Sequence, residues 1–331
     1  MPATLLRLIP WLAIRVPVSL AAVWSMGALY FDFPWPAARL AATAAFGSLL
    51  ILILWRLPRG RVRWATAAAA CAIVATWWLT LRPSHDRVWQ PDVAHLPRAT
   101  INGDIVTLSN VRNCDYRTAT DFTPRWETRT VDLSQLTGFD VAITYWGSPW
   151  MAHPVASFSF ADAPPVCFSI ETRKEVGEKY SALSGLYRGF ELMYVVADER
   201  DVLRLRTSFR QGEDVYLYRT TATPADARQR FLEYLRALNQ LYDHPRWYNA
   251  LTTNCTTTVR TQREASRRMA WDWRFLVNGK GDELLYDTLS IVTEGLPFAE
   301  LKRRALIKPA PLRTDDPADF SRQIRSGRPG F

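Results

Sequence analysis

Leu251 to Thr258 reads LTTNCTTT, just ahead of a helix-like run, and the reading of the whole chain turns on its cysteine. A thiol becomes chemically useful as a thiolate. The unpaired N–H groups and the macrodipole at a helix start favour negative charge, so a cysteine placed there ionises more readily. The ordinary fate of a cysteine is to fill a small space in a core. Cys255 instead stands among Thr252, Thr253, Asn254 and Thr256, in no apolar pattern. Far upstream, His153 lies in AHPVASFSF, residues 152 to 160, which reads as a strand. A cysteine and a histidine distant in sequence form a nucleophile and base pair when the fold joins them. His85 and His95 fall in a proline-marked linker and His244 stands beside Pro245, so His153 is the histidine that abuts a core strand. A base also needs an orienting partner. Glu171, at the end of the next strand, is placed to accept the other ring N–H. The run from Glu171 to Lys179 is dense in charge, and it reads equally well as solvated surface.

Ahead of this pair come three uncharged apolar runs, Val16 to Phe31, Leu40 to Trp55 and Trp64 to Leu81, with Trp35, Trp55 and Trp64 near their edges. Each is slightly short of the roughly 20 residues that cross a bilayer. Extending the first back over Leu12 to Ile14 and letting flanking arginines snorkel closes the gap. A cleaved signal peptide would account for the first run only. The loop between the second and third runs carries Arg56, Arg59, Arg61 and Arg63. The positive-inside rule then puts that loop and the N-terminus in the cytoplasm, and everything after Arg82 outside it. Nucleic acid is excluded by that compartment. The net charge of +9 suits anionic lipid headgroups.

The expected organisation is a membrane domain over 1–82, a linker over 83–100, a globular domain over 101–308 and a tail over 309–331. Strands are expected at Asp140 to Tyr145, Val155 to Phe160, Val166 to Ile170, Glu191 to Val196 and Val215 to Tyr218, from apolar runs of strand length. Thr223, Pro224 and Asp226 form a capping box ahead of a helix that runs to about Asp243. Further helices are expected from near Asn254 to about Met269 and over Asp282 to Thr293. A Cys114–Cys167 disulfide is possible in an oxidising compartment and would leave Cys255 free. The sequence offers no metal-ligand cluster, glycine-rich phosphate loop or GxSxG elbow, so no metal or cofactor is expected.

Four stretches together resemble the periplasmic domain of the Lnb-type bacterial lipoprotein N-acyltransferases. They are DYRTATDFTPRWETRTVDLSQL (115–136), YWGSPWMAHPVASFSF (145–160), FSIETRKEVGEKYSALSGLYRGFELMYVVADERDVLRLRT (168–207) and NALTTNCTTTVR (249–260). The resemblance implies an α+β, circularly permuted papain-like (NlpC-type) domain behind three transmembrane helices. In such a domain the His-bearing strand precedes the Cys-bearing helix, and the order His153 then Cys255 agrees. It further implies acyl transfer through a cysteine thioester, from a phospholipid donor to a lipoprotein acceptor, at the bacterial inner membrane. Cys255 is then the nucleophile, His153 the base and Glu171 the orienting group. Backbone N–H groups at the helix start, with Asn254 or Tyr145, would hold the oxyanion. Two other readings stay open: a cysteine peptidase or amidase of the cell envelope, and a non-catalytic membrane module.

Overall fold

A computed structural model describes residues 3–307 and 317–331; the expected tail over 309–316 lies outside the described residues. The chain divides into two compact units, Met1–Ser84 with Tyr180–Phe190, and His85–Lys179 with Glu191–Phe331.

The first unit holds α1 (Ala3–Asp32), α2 (Arg39–Arg56) and α3 (Arg61–Thr80). Ala13–Asp32, Pro36–Arg56 and Arg61–Thr80 are each long and apolar enough to cross a membrane. Ala28, Phe46, Leu50, Ala67, Cys71 and Val74 pack between the helices. Leu20, Val23, Ile51 and Ile73 face outward, exposed, as expected where lipid tails are the solvent. The segment Tyr180–Phe190 joins this unit through tight contacts. Tyr187 lies against Gly27, where a Cβ would stand 1.9 Å from the tyrosine hydroxyl, so only glycine fits. The Arg188 backbone N–H donates to the Asp32 carboxylate at the end of α1, at 3.1 and 3.2 Å. Its guanidinium donates to the carbonyls of Trp78 and Leu81 at the end of α3.

The second unit is built on a nine-stranded sheet. Its strands are β1 (Arg98–Asn102), β2 (Ile105–Arg112), β5 (Trp126–Asp132), β6 (Leu136–Trp146), β7 (Ser148–Phe160), β8 (Val166–Arg173), β9 (Glu191–Asp198), β10 (Glu213–Arg219) and β11 (Leu306–Ile307), while β3 (Asp115–Tyr116) and β4 (Phe122–Thr123) form a separate small hairpin. The order across the sheet is β1-β2-β9-β8-β7-β6-β10-β11, with β5 on β2. The expected strands are all present, most of them longer than the apolar runs that signalled them.

Alternation gives each face of the sheet its own cover. On one face Val155, Met193, Val195, Val215 and Leu217 pack with Val202 and Leu203 of α4 (Glu199–Arg204) and with Phe320 and Ile324. On the other, Phe158 and Phe168 meet Phe231 edge-on at 5.0 and 5.4 Å. Phe231 belongs to α5 (Pro224–Asp243), which opens on the expected capping box of Thr223 and Asp226. Beyond it come α6 (Cys255–Thr261), α7 (Gly281–Asp287), α8 (Phe298–Ala305) and α9 (Pro317–Gln323).

Five expectations change. The helix expected from Asn254 to Met269 stops at Thr261, and the one expected from Asp282 to Thr293 stops at Asp287. The expected linker is packed down: Val93 is buried and its carbonyl accepts from the Arg173 guanidinium. Cys114 and Cys167 are buried and unbridged. The tail is not solvated where it is described. Phe320 and Ile324 are buried, and Arg325 bridges two buried carboxylates, Asp140 (2.8 Å) and Glu199 (2.6 Å). A short segment with only two large apolar residues carries no visible periodicity, so sequence pattern could not find it. Burial pushes the Asp140 carboxyl up to about 6 despite Arg325 and Arg219. We therefore expect Arg325→Met to cost ~3–5 kcal/mol, since it strands two buried acids side by side. Thermal unfolding of the full chain checks this against Arg322→Met, an exposed neighbour expected to cost little.

Candidate active site

Strand register assembles the surroundings of His153. Val155 of β7 pairs with Ser169 of β8. Two residues back along β7 stands His153 and two residues on along β8 stands Glu171, so alternation sets His153, Ser169 and Glu171 on one face. His153 Nε2 lies 2.6 Å from Ser169 Oγ and 3.1 Å from Glu171 Oε1. Ser169 Oγ donates to the same carboxylate oxygen at 2.6 Å. Arg206 Nη2 adds a third donor to it at 3.0 Å. Arg206 is buried and comes from a π-helical turn, Leu205–Phe209, that continues α4. Such turns recur at functional sites because they re-aim a side chain.

Cys255 comes from α6. Asn254 is its N-cap, and Oδ1 accepts from Thr256 N–H (3.0 Å) and Thr257 N–H (2.8 Å) while Nδ2 donates to the Ala250 carbonyl. Cys255 is therefore the first residue of the helix, and its own N–H has no acceptor within the helix. Helix α6 packs on β7 and β8. The Cys255 thiol is a hydrogen-bonding neighbour of His153. Because Nε2 is engaged by Ser169 and Glu171, Nδ1 is left for the thiol.

The electrostatics follow. Burial alone would push the His153 imidazole down, but the Glu171 carboxylate outweighs it and, with the thiol, lifts it to about 9. Burial would raise Glu171, yet His153, Arg206 and Ser169 hold its carboxyl well below the usual range. A proton on His153 is thus favoured at neutral pH.

The two side chains expected to hold an oxyanion stand elsewhere. The Asn254 carboxamide is taken up by the cap. Tyr145 pairs with Ala152 across β6 and β7, whereas Thr144 pairs with His153; alternation sets Tyr145 on the opposite face. Its hydroxyl donates to the Gly279 carbonyl at 3.0 Å and so braces a turn. That turn supplies a residue the sequence reading missed. Asn278 Nδ2 donates to Cys255 Sγ at 3.2 Å, and Asn278 Oδ1 accepts from Thr256 Oγ1 at 2.8 Å. The signal was faint: Asn278-Gly279 reads as a turn pair. Glycine is required at 279 because a Cβ there would stand 2.3 Å from the Pro149 carbonyl oxygen.

A cavity of about 370 Å³ reaches Thr256 and Asn278, the two neighbours of Cys255, and is lined across an apolar surface by Val141, Ile143, Val259, Phe275, Leu284 and Leu285; Cys255 and His153 are not in its wall. Its sides carry Arg230, Arg260 and Arg263. Among the described residues no cluster of His, Cys, Asp and Glu could hold a metal ion.

Residues 122–279 match the family model of the Lnb N-terminal periplasmic domain. That stretch is similar to the Lnb N-terminal periplasmic domain. His153, Ser169, Glu171, Arg206, Cys255 and Asn278 all lie inside the matched stretch. No curated protein and no solved structure matches the chain. With the three apolar helices, the Lnb domain marks a membrane-associated protein with a periplasmic part.

The raised His153 value fixes a pH dependence. A group whose folded value exceeds its unfolded one stabilises the fold fully below the unfolded value and ceases to as pH rises through the folded one. In Glu171→Gln the carboxylate is gone, burial dominates, and His153 is expected to titrate well below 9. The stability gap between wild type and Glu171→Gln should be widest below pH 6.5 and shrink as pH rises past about 9. NMR titration of the His153 ring and unfolding at a series of pH values check both statements.

Proposed function

We propose that the protein is a membrane-anchored cysteine acyltransferase with a circularly permuted papain-like catalytic domain. It moves an acyl chain from phospholipid through a Cys255 thioester to an amine, the N-terminal cysteine of a lipoprotein. The observation that supports this reading is the largely apolar cavity that reaches Thr256 and Asn278, the two neighbours of Cys255. A peptidase acting on cell-wall peptide would need a polar groove there, whereas a fatty chain needs apolar walls.

The steps follow from the geometry. Cys255, as the thiolate paired with the His153 imidazolium, attacks the ester carbonyl of the donor. The Cys255 N–H and Asn278 Nδ2 face the oxyanion as it forms. The tetrahedral adduct collapses, the lysophospholipid oxygen takes the proton from His153 Nδ1, and the thioester remains. An amine then attacks the thioester and gives its proton to His153, and the thiolate–imidazolium pair is regenerated as the amide leaves. Glu171, held by Ser169 and Arg206, keeps Nδ1 turned to sulfur throughout.

Mass spectrometry of the protein given phospholipid should show an acyl-sized, hydroxylamine-labile increment on Cys255. Cys255→Ser should lose it. His153→Ala should slow it by ~10²–10⁴-fold and Asn278→Ala by ~10²–10³-fold. No adduct on wild type, together with cleavage of cell-wall peptides, would transfer the case to the peptidase. We also propose a cytoplasmic N-terminus. The loop between α2 and α3, with Arg56, Arg59, Arg61 and Arg63, supports it. A periplasm-active reporter fused after Phe331 should be active; activity of a cytoplasmic reporter instead would reverse the orientation.

A further inference from the structure

We infer that Trp150 and Met151 together with Trp271, Trp273 and Leu276 form a lip that enters the headgroup zone of an anionic bilayer. The two segments form one surface. Gly279 touches the backbone of Pro149 and Trp150 so closely that a Cβ would stand 2.4 Å from Trp150 C. The Lys280 ammonium lies 5.3 Å from the centre of the Trp150 ring. Trp271 lies 6.1 Å from Phe275, and the Arg260 guanidinium sits over both rings.

This surface belongs to the wall of the cavity. Met269, Phe275 and Asn278 line it, and Asn278 bonds Cys255. The same stretch turns Trp271 (58 % exposed) and Trp273 (54 %) to solvent, and the β6–β7 turn does so with Trp150 (55 %). Three exposed indoles on one surface are costly in water, and such patches mark interaction sites. Indole is amphipathic and settles at the level of lipid headgroups. Arg274 here pairs with Asp272 and Asp287, and Lys280 with Glu283, while Arg267 and Arg268 stand exposed on the same stretch. Exposed arginines beside Trp and Leu are a composition that binds an anionic lipid surface. Three apolar helices in the same chain tether the domain to a bilayer. The lip would let a fatty chain pass from lipid into the cavity without crossing water, and in that role it rests on the acyl-transfer reading.

The full-length protein is reconstituted in nanodiscs of phosphatidylethanolamine and phosphatidylglycerol, with a benzophenone amino acid replacing Trp150, Trp271 or Trp273 in turn. Ile101, an exposed residue of β1, serves as control. After irradiation, each lip position should give about tenfold more lipid adduct than position 101, the contrast between an interfacial and an aqueous site. Equal adduct at all four positions, or adduct to protein in place of lipid, overturns the inference. Should a substituted chain misfold, oxidative footprinting of the wild type decides. Trp150, Trp271 and Trp273 should oxidise more slowly in nanodiscs than in lipid-free amphipol, and unchanged rates overturn the lip. The Cys255 thioester is read on wild type in the same nanodiscs. Lipid adducts without a thioester retain the lip and sink the acyltransferase; a thioester without lip adducts does the reverse.

Discussion

One carboxylate oxygen, Glu171 Oε1, is the point on which the candidate site depends. It faces His153 Nε2, Ser169 Oγ and Arg206 Nη2, all within 3.1 Å. Each partner comes from a different element, so the oxygen ties the β7–β8 register to the π-helical turn after α4. It also sets the proton balance. A buried imidazole left alone would be neutral, and the carboxylate reverses that. Losing the charge would change what His153 is at neutral pH as well as where it points.

The sulfur side is organised by a different means. There the elements are joined by caps and turns. Asn254 seals the start of α6, Tyr145 braces the Gly279 carbonyl from the opposite face of the sheet, and Asn278 reaches back to the thiol. No charged side chain is required at the sulfur beyond His153. This leaves the adjoining space free to be apolar, which an ionic cluster on that side would have prevented by drawing in water.

Much of this could be read from residues alone, and the limits have physical causes. Strands β6 to β10 announced themselves because they are apolar at strand length, and α5 because its cap, proline and period agree. Cys255, His153 and Glu171 stood out by chemistry and position. Arg206 and Asn278 did not. One is an arginine among many, and the other is an asparagine in a turn; both matter only through contacts made across the fold. Asn254 and Tyr145 were legible as polar groups near the site but not by orientation, which hydrogen bonding and strand alternation decide. Helix α6 was expected too long because Gln262, Arg263, Glu264, Arg267 and Arg268 after it resemble an exposed helix face. Helix α9 was missed because it owes its burial to the sheet it meets.

That last helix bears on how the protein is made. Asp140 in β6 and Arg325 are 185 residues apart, and Phe320 and Ile324 close the face of the sheet that α4 only partly covers. During synthesis the strands are made first, with an apolar face and two buried-to-be acids still open to their surroundings. They cannot be sealed until residues 320–325 have been added as well. The nascent domain therefore spends most of its synthesis as an incomplete sheet, the kind of partly exposed species that is prone to aggregation.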